Sequence, residues 1–248
     1  MTVLIIGCGF IGLPLAIKLQ ILGYEITVTT SQKNKQKILK NKGLFSLKFN
    51  SNLQEDYLQF KNYSFDYIIY TLPPKVCKLI SYDHVLFKLI PSLSQNGIIV
   101  FTSSISVYQN NGDMHTEESF SLNNSSVIFK TENIIIESRY PHYIFRLAGL
   151  IGGNRHPKKF IKSDVIKNSN HYVNLVRGED VIDAIVLSII NEIPFGIYNV
   201  CSPEHPTRKT YYHNYTSAPL YMEGEEGKLI DTSKITNVLN YKYKSIYL

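Results

Sequence analysis

The sequence predicts an α/β fold: a doubly wound parallel sheet with helices on both faces and a small C-terminal lobe. Three observations predict it. Apolar runs alternate with helical stretches from residue 2 to residue 150. The apolar runs are mostly continuous, as strands covered on both faces require. The first run enters a glycine-rich turn, "IIGCGFIG" at residues 5–12, and then a helical pattern.

The elements follow in order. "TVLII" (2–6) is a short buried strand, and residues 10–22 read as a helix with Pro14 near its first turn, where a missing N–H costs little. "EITVTT" (25–30) is the second strand, and "SQKNKQKILK" (31–40) a helix with Ser31 as N-cap. "FSLKF" (45–49) alternates like a strand, and "DYIIYTL" (66–72) is a buried strand stopped by Pro73 and Pro74. Residues 75–93 read as a helix, "GIIVFTSS" (97–104) as a strand entering a polar turn, 127–138 as a helix and "HYIFRLAGL" (142–150) as a strand and its exit. Beyond residue 150 the rhythm loosens, with a strand at 171–176, a helix at 178–191 and a strand at 196–202. The expected organisation is a nucleotide-binding core over 1–150 and a small mixed lobe over 151–248, of which 170–202 returns to the sheet.

Bulk properties narrow the function. A chain of 248 residues, 44% hydrophobic and 19% charged, is ordinary for a soluble protein with a sizeable core. The formal charge of +6 comes from scattered lysines with no basic stripe, so nucleic acid is not the expected partner. Cys8, Cys77 and Cys201 lie far apart, which offers neither a metal site nor a disulfide framework and fits a reduced cytoplasmic setting. Met1 to Ile17 is uncharged, but it lacks a basic start and Lys18 interrupts it short of the about 20 residues that span a bilayer. No membrane association is expected.

The order Gly7, Gly9, Gly12 between a strand and a helix is the context in which G-x-G-x-x-G signals a dinucleotide. Gly7 permits the tight turn, Gly9 the approach of a pyrophosphate, and Gly12 the packing of helix on strand. Phe10 and Ile11 then start the helix whose N–H groups face the phosphates. NAD-preferring sites place a carboxylate at the end of the second strand. Here that stretch is Thr29, Thr30 and Ser31, with Lys33 and Lys35 just beyond, so NADP(H) is preferred over NAD(H). Leu72, Pro73 and Thr102, at the ends of the later strands, complete the expected cofactor contacts.

Further on, "FTSSISVYQ" (101–109), "HTEES" (115–119), "GEDVIDAI" (178–185), "YNV" (198–200) and "DTSKITNVLNYKY" (231–243) resemble segments of the extended short-chain dehydrogenase/reductase superfamily, the NAD-dependent epimerase/dehydratase type. "RLAGLIGGNRHP" (146–157), "VNLVRGEDV" (173–181) and "YNVCSPEHP" (198–206) are most similar to its atypical YeeZ-like group. The resemblance covers essentially the whole chain and implies a Rossmann-type fold. It implies Ser104 as the catalytic serine and Lys130 as the lysine that holds the nicotinamide ribose. It also implies a homodimer paired through the helices expected at 75–93 and 127–138.

Typical relatives carry a tyrosine four positions before that lysine; here it is Ser126. A phenol starts near pKa 10 and an adjacent ammonium can bring it toward neutrality; an aliphatic hydroxyl starts several units higher. Ser126 is therefore a poor direct base, though it can pass a proton through water. Among candidate replacements, Tyr108 follows the serine turn, His115 stands in a loop, and His156 and His205 each precede a proline. Arg155 and Arg177 are candidates to hold an anionic substrate group, and Cys201 reads as a packed thiol. After "YNVCSPEHP" the superfamily runs a full helix; here "TRKTYYHNYTSAPLYMEG" (207–224) intervenes, so the substrate lobe reads as trimmed. The expected function is an NADP(H)-dependent oxidoreductase or epimerase-like enzyme acting on a small molecule. The alternatives are an NADP(H)-binding sensor or interaction module without turnover, and a scaffold that has lost its cofactor.

Overall fold

A computed structural model describes residues 1–161, 167–217, 219 and 227–248. In chain order the strands and helices are β1 (Thr2–Ile6), α1 (Gly12–Ile21), β2 (Glu25–Thr30), α2 (Lys33–Asn41), β3 (Phe45–Lys48), β4 (Phe65–Tyr70), α3 (Tyr82–Leu89), β5 (Leu93–Ser104), β6 (Met114–His115) and α4 (Val127–Glu137). They continue as β7 (His142–Leu147), β8 (Gly149–Ile151), β9 (Leu175–Arg177), α5 (Gly178–Ile190), β10 (Gly196–Val200), α6 (Arg208–Tyr212), β11 (Leu229–Ile230) and α7 (Ser233–Leu239).

Seven strands form the central sheet in the order β10-β7-β5-β4-β1-β2-β3. The pairs β1–β2, β1–β4, β2–β3 and β4–β5 are all parallel. The chain runs outward from β1 through β2 to β3, then resumes at β4 on the other side of β1. Ligands of such sheets bind at this reversal, outside the carboxyl ends of the strands. The continuous apolar runs are explained by burial on both faces: Leu4, Ile5, Ile6, Ile68, Ile69 and Tyr70 are all wholly buried.

The chain divides into two compact units that do not follow chain order. One comprises residues 1–103, 124–145 and 194–196; the other comprises 104–123, 146–193 and 197–248. A boundary at residue 150 misses the 104–123 excursion, which belongs with the later segments. There β6 pairs in parallel with β11, and β8 with β9.

Two expected elements are shorter than their patterns. The helix expected over 75–93 is only α3, flanked by 3-10 turns at Pro74–Val76 and Ile90–Ser92. Asn52 is one cause: its Oδ1 accepts from the N–H groups of Lys78 and Leu79, at 2.7 and 2.8 Å, which removes them from a helical ladder. The strand expected over 171–176 is confined to β9, because Tyr172 bridges Thr207 and the Val173 N–H donates to Pro206 O at 2.8 Å. Of the tyrosine-rich stretch 207–224, residues Arg208–Tyr212 form α6; residues 218 and 220–224 lie outside the described residues. Among the described residues, no helix is long and apolar enough to cross a membrane.

Candidate functional site

The glycine turn is built by its neighbours in the first unit. Gly7 has φ +99°, which a side chain would resist. Its N–H donates to Thr29 Oγ1 at 3.1 Å, and its carbonyl accepts from Thr71 Oγ1 at 2.6 Å. A Cβ on Gly12 would lie 2.1 Å from the Gly7 carbonyl oxygen, so α1 can approach β1 only through a glycine. Gly9 differs. A Cβ there meets no protein atom within 4 Å, so the protein's own packing does not require glycine at that position.

A cavity of about 480 Å³ opens beside this turn. That is within the roughly 300–1,000 Å³ of small-molecule sites. Its walls come from just beyond the carboxyl ends of β1, β2, β3 and β4: Gly7 to Gly9, Thr29 to Gln32, Phe49 to Asn52 and Thr71 to Pro73. Lys35, Lys75 and Lys78 also line it, and among the described residues no carboxylate does. The Lys35 ammonium donates to the Cys8 carbonyl, which holds it against the glycine turn. Thr30 Oγ1 accepts from the Gln32 N–H at 3.2 Å, and Tyr82 on α3 donates to the Leu72 carbonyl at 2.7 Å. Burial raises the Cys8 thiol pKa, with Lys35 pulling the other way.

The structure therefore gathers Gly7, Gly9, Thr30, Ser31, Leu72 and Pro73 around one cavity. Lys33 opens α2 as an exposed residue and is not among the lining residues; Lys35 is. Ile11 is buried at the N-cap of α1. Phe10 is half-buried and Thr102 donates to the Tyr70 carbonyl at 3.1 Å, tying β5 to β4; neither lines the cavity.

The residues expected to be catalytic have distinct settings. Ser126 is the N-cap residue of α4, and its carbonyl accepts from the Lys130 N–H at 3.0 Å. Lys130 is exposed, on the side of α4 away from buried Thr131, Glu132 and Ile135. Glu132 accepts from Ser103 Oγ at 2.5 Å inside the first unit. Ser104 ends β5, and its Oγ accepts from the Ser106 N–H at 3.1 Å, capping the 3-10 turn Ile105–Val107.

In the second unit Tyr108 is 2% exposed, so it is placed as a packing residue rather than a substrate contact. Its hydroxyl donates to Asn199 Oδ1 at 2.7 Å and accepts from Arg146 at 2.8 Å, with the guanidinium over its ring. His115 is not in a free loop: it lies buried on β6, stacked on Tyr108, with Nε2 3.0 Å from both Gln109 O and Asn111 Oδ1. Burial lowers its pKa. Arg177 donates to the Ser245 and Tyr247 carbonyls at 2.5 and 2.8 Å, which ties down the C-terminal segment. Arg155 is exposed and pairs through its backbone with Gly152. His156 Nδ1 accepts from the Lys158 N–H at 3.2 Å. Cys201 is wholly buried, and burial raises its thiol pKa well above the usual range.

Sequence reasoning missed Lys75 and Lys78 in the cavity wall, and the buried contacts of Arg146 and Lys228 in the second unit. Lys75 and Lys78 had a local signal, since they follow the β4 exit "TLPP" directly. The other two had none.

No protein-family model matches the chain. It is 30% identical to Protein YeeZ of Escherichia coli (strain K12), an alignment that covers 98% of this chain and 95% of that protein. The chain belongs to the YeeZ family. Solved structures share its fold. A Helicobacter pylori ADP-L-glycero-D-manno-heptose-6-epimerase superposes with TM-score 0.75 at 16% identity, covering 98% of this chain and 91% of the other. A Bacillus cereus UDP-glucuronic acid 4-epimerase, solved in complex with NAD, superposes with TM-score 0.74 at 15% identity, covering 99% and 94%. At such identity the likeness is one of fold. The YeeZ-family chain shares their doubly wound sheet and carries its own set of side chains on it.

Proposed function

We propose that this YeeZ-family protein binds NADP(H) and is an oxidoreductase or epimerase-like enzyme of a reduced cytoplasmic compartment. The observation that carries the reading is the glycine cradle beside a cavity with three lysines and no carboxylate. The open space at Gly9 beside the start of α1 supports a pyrophosphate there, and Lys35, held against the Cys8 carbonyl, is the residue proposed to meet a ribose 2′-phosphate. A bound dihydronicotinamide supplies a hydride; the protein holds and orients it. Ser104 is the residue proposed to hold the substrate oxygen.

The test is a fluorescence titration with NADPH and NADH. Tighter binding of NADPH is expected, and no binding of either would sink the reading. Lys35→Glu should weaken NADPH by roughly tenfold or more while changing NADH by much less. Equal losses for both cofactors would remove Lys35 from the 2′-phosphate.

One observation favours a second reading, a cofactor-binding module without turnover. Ser126 stands where relatives carry tyrosine, and Lys130 projects from the exposed side of α4. Deuterium transfer from labelled NADPH to a carbonyl acceptor separates the two.

We also propose a homodimer. Helices α3 and α4 pack together and leave Phe87, Val127 and Ile136 between 41% and 60% exposed. Phe87→Glu should convert a dimer to a monomer in analytical ultracentrifugation; a wild-type monomer at micromolar concentration would end the proposal.

A further inference from the structure

Among the described residues, five buried side-chain atoms have no hydrogen-bond partner: Ser169 Oγ, His171 Nε2, Asn174 Oδ1, His205 Nδ1 and Arg208 Nε. All belong to the second unit, and to two segments that run side by side within it, 169–174 and 205–208. Tyr172 bridges Thr207 in antiparallel pairing. The Arg208 N–H donates to the His171 carbonyl at 2.8 Å, and the Lys209 N–H to the Ser169 carbonyl at 2.9 Å. Buried polar groups are almost always paired, so orphans gathered on one short ladder need a cause.

The pairing register sorts them. Tyr172 and Thr207 stand opposite each other, so His171 and Arg208 form the next cross-strand pair, on the other face, with Cβ atoms about 5 Å apart. Ser169 stands in the turn that the His171 N–H closes on the Asn168 carbonyl at 3.0 Å. Its bond from Lys209 holds it beside the same end of the second segment. Asn174 and His205 fall on the Tyr172 face and are separate.

The three atoms on this side share one chemistry. Arg208 Nε–H can only donate, and the guanidinium keeps its charge at every working pH. The Ser169 hydroxyl donates, and His171 Nε2 donates whenever it carries the ring proton. Among the described residues no carboxylate pairs with Arg208, whose guanidinium lies over the Tyr212 ring with Cζ 5.5 Å from its centroid. Ser169 is wholly buried, whereas His171 and Arg208 are half-buried, so the donors lie just beneath the surface.

We propose that Ser169, His171 and Arg208 form an oxyanion site in the second unit that takes a phosphate group. A set of donors with a permanent positive charge is satisfied by an acceptor with negative charge. Three donors from two segments suit the several terminal oxygens of a phosphate, where a carboxylate offers two. The phosphate is either the free ion or the phosphoryl end of a larger molecule. The site stands whether or not the glycine turn holds a dinucleotide.

The test reads Arg208 directly. In NMR spectra of the arginine Nε–H groups, one peak, absent in Arg208→Lys, should shift and saturate as inorganic phosphate replaces chloride at constant ionic strength. Phenyl phosphate should move the same peak if the site takes a phosphoryl end, and leave it in place if the site takes the free ion. Acetate should be weaker by roughly tenfold or more. Phosphate should also raise the wild-type thermal midpoint, and Arg208→Lys should lose most of that rise. Lys35→Glu should keep it, which separates this site from the cavity at the glycine turn. Ser169→Ala breaks no bond in the ligand-free protein, so in chloride its midpoint should equal or exceed that of wild type, while its phosphate affinity falls a few-fold. A purely structural hydroxyl would give a lower midpoint and unchanged phosphate affinity. That result, an Arg208 peak unmoved by phosphate, or one moved equally by acetate, would overturn the proposal. The NADPH titration is unaffected by each of these outcomes and decides the cofactor reading by itself.

Discussion

Replacing Gly12 by valine is expected to abolish NADPH binding and to unfold the protein at a markedly lower temperature. The first carbon added at Gly12 would stand 2.1 Å from the Gly7 carbonyl oxygen and 2.8 Å from Thr71 Oγ1. The first of these is backbone, so the clash is relieved only by moving α1 off β1 or by opening the turn. Overpacking of this kind typically costs about 1–3 kcal/mol, and a backbone clash belongs at the upper end. Gly9→Val separates the two effects. Its side chain starts in open space, so the thermal midpoint should hold while NADPH affinity falls by about 100-fold or more. Thermal unfolding and cofactor titration on both variants check the pair. If Gly9→Val binds NADPH normally, the open space beside Gly9 is not where the pyrophosphate sits.

Arg146→Met should be the most destabilising change in the second unit. The guanidinium is 2% exposed, donates to the Tyr108 hydroxyl at 2.8 Å and reaches the Glu117 carbonyl at 3.4 Å. Methionine fills part of the volume but supplies no donor. The Tyr108 hydroxyl keeps Asn199 as its acceptor but loses its donor, and Glu117 loses the charge beneath its backbone. Leaving buried acceptors without their charged donor costs about 1–3 kcal/mol. The thermal midpoint should therefore drop by roughly 3–10 °C at this chain length. A change under 2 °C would mean that the network is replaceable by packing alone. The Asn199 N–H donates to Glu117 Oε1 at 2.7 Å, so the same network connects β10 to the segment after β6.

The fold was legible because its signals are local. A strand covered on both faces must be apolar throughout, and β1 and β4 read that way without knowledge of their neighbours. The glycine spacing is equally local: Gly7, Gly9 and Gly12 answer to a turn and a helix start within six residues. The expected extra helix length around α3 failed for a non-local reason. Asn52, some 26 residues earlier, captures two N–H groups that a helix would have used. His115 failed likewise. In the sequence it stands in a polar stretch, whereas Tyr108, Gln109 and Asn111 close around its ring.

The sequence by itself determined the sheet, the glycine turn between β1 and α1, the lack of a carboxylate at the end of β2 and a serine four positions before Lys130. Each depends on residue type over a short stretch, where backbone geometry and hydrophobic period leave few alternatives. Only the tertiary structure decided which lysines face the cavity and which are drawn into the second unit. Lys33 and Lys35 are two residues apart and chemically identical, yet of the two only Lys35 lines the cavity, because positions i and i+2 of a helix point to opposite sides. Lys228 lies 120 residues from Tyr108, and nothing in its sequence neighbourhood marks it. It is brought to the serine turn by β11 pairing with β6, a two-residue ladder too short to leave a periodic trace in the sequence.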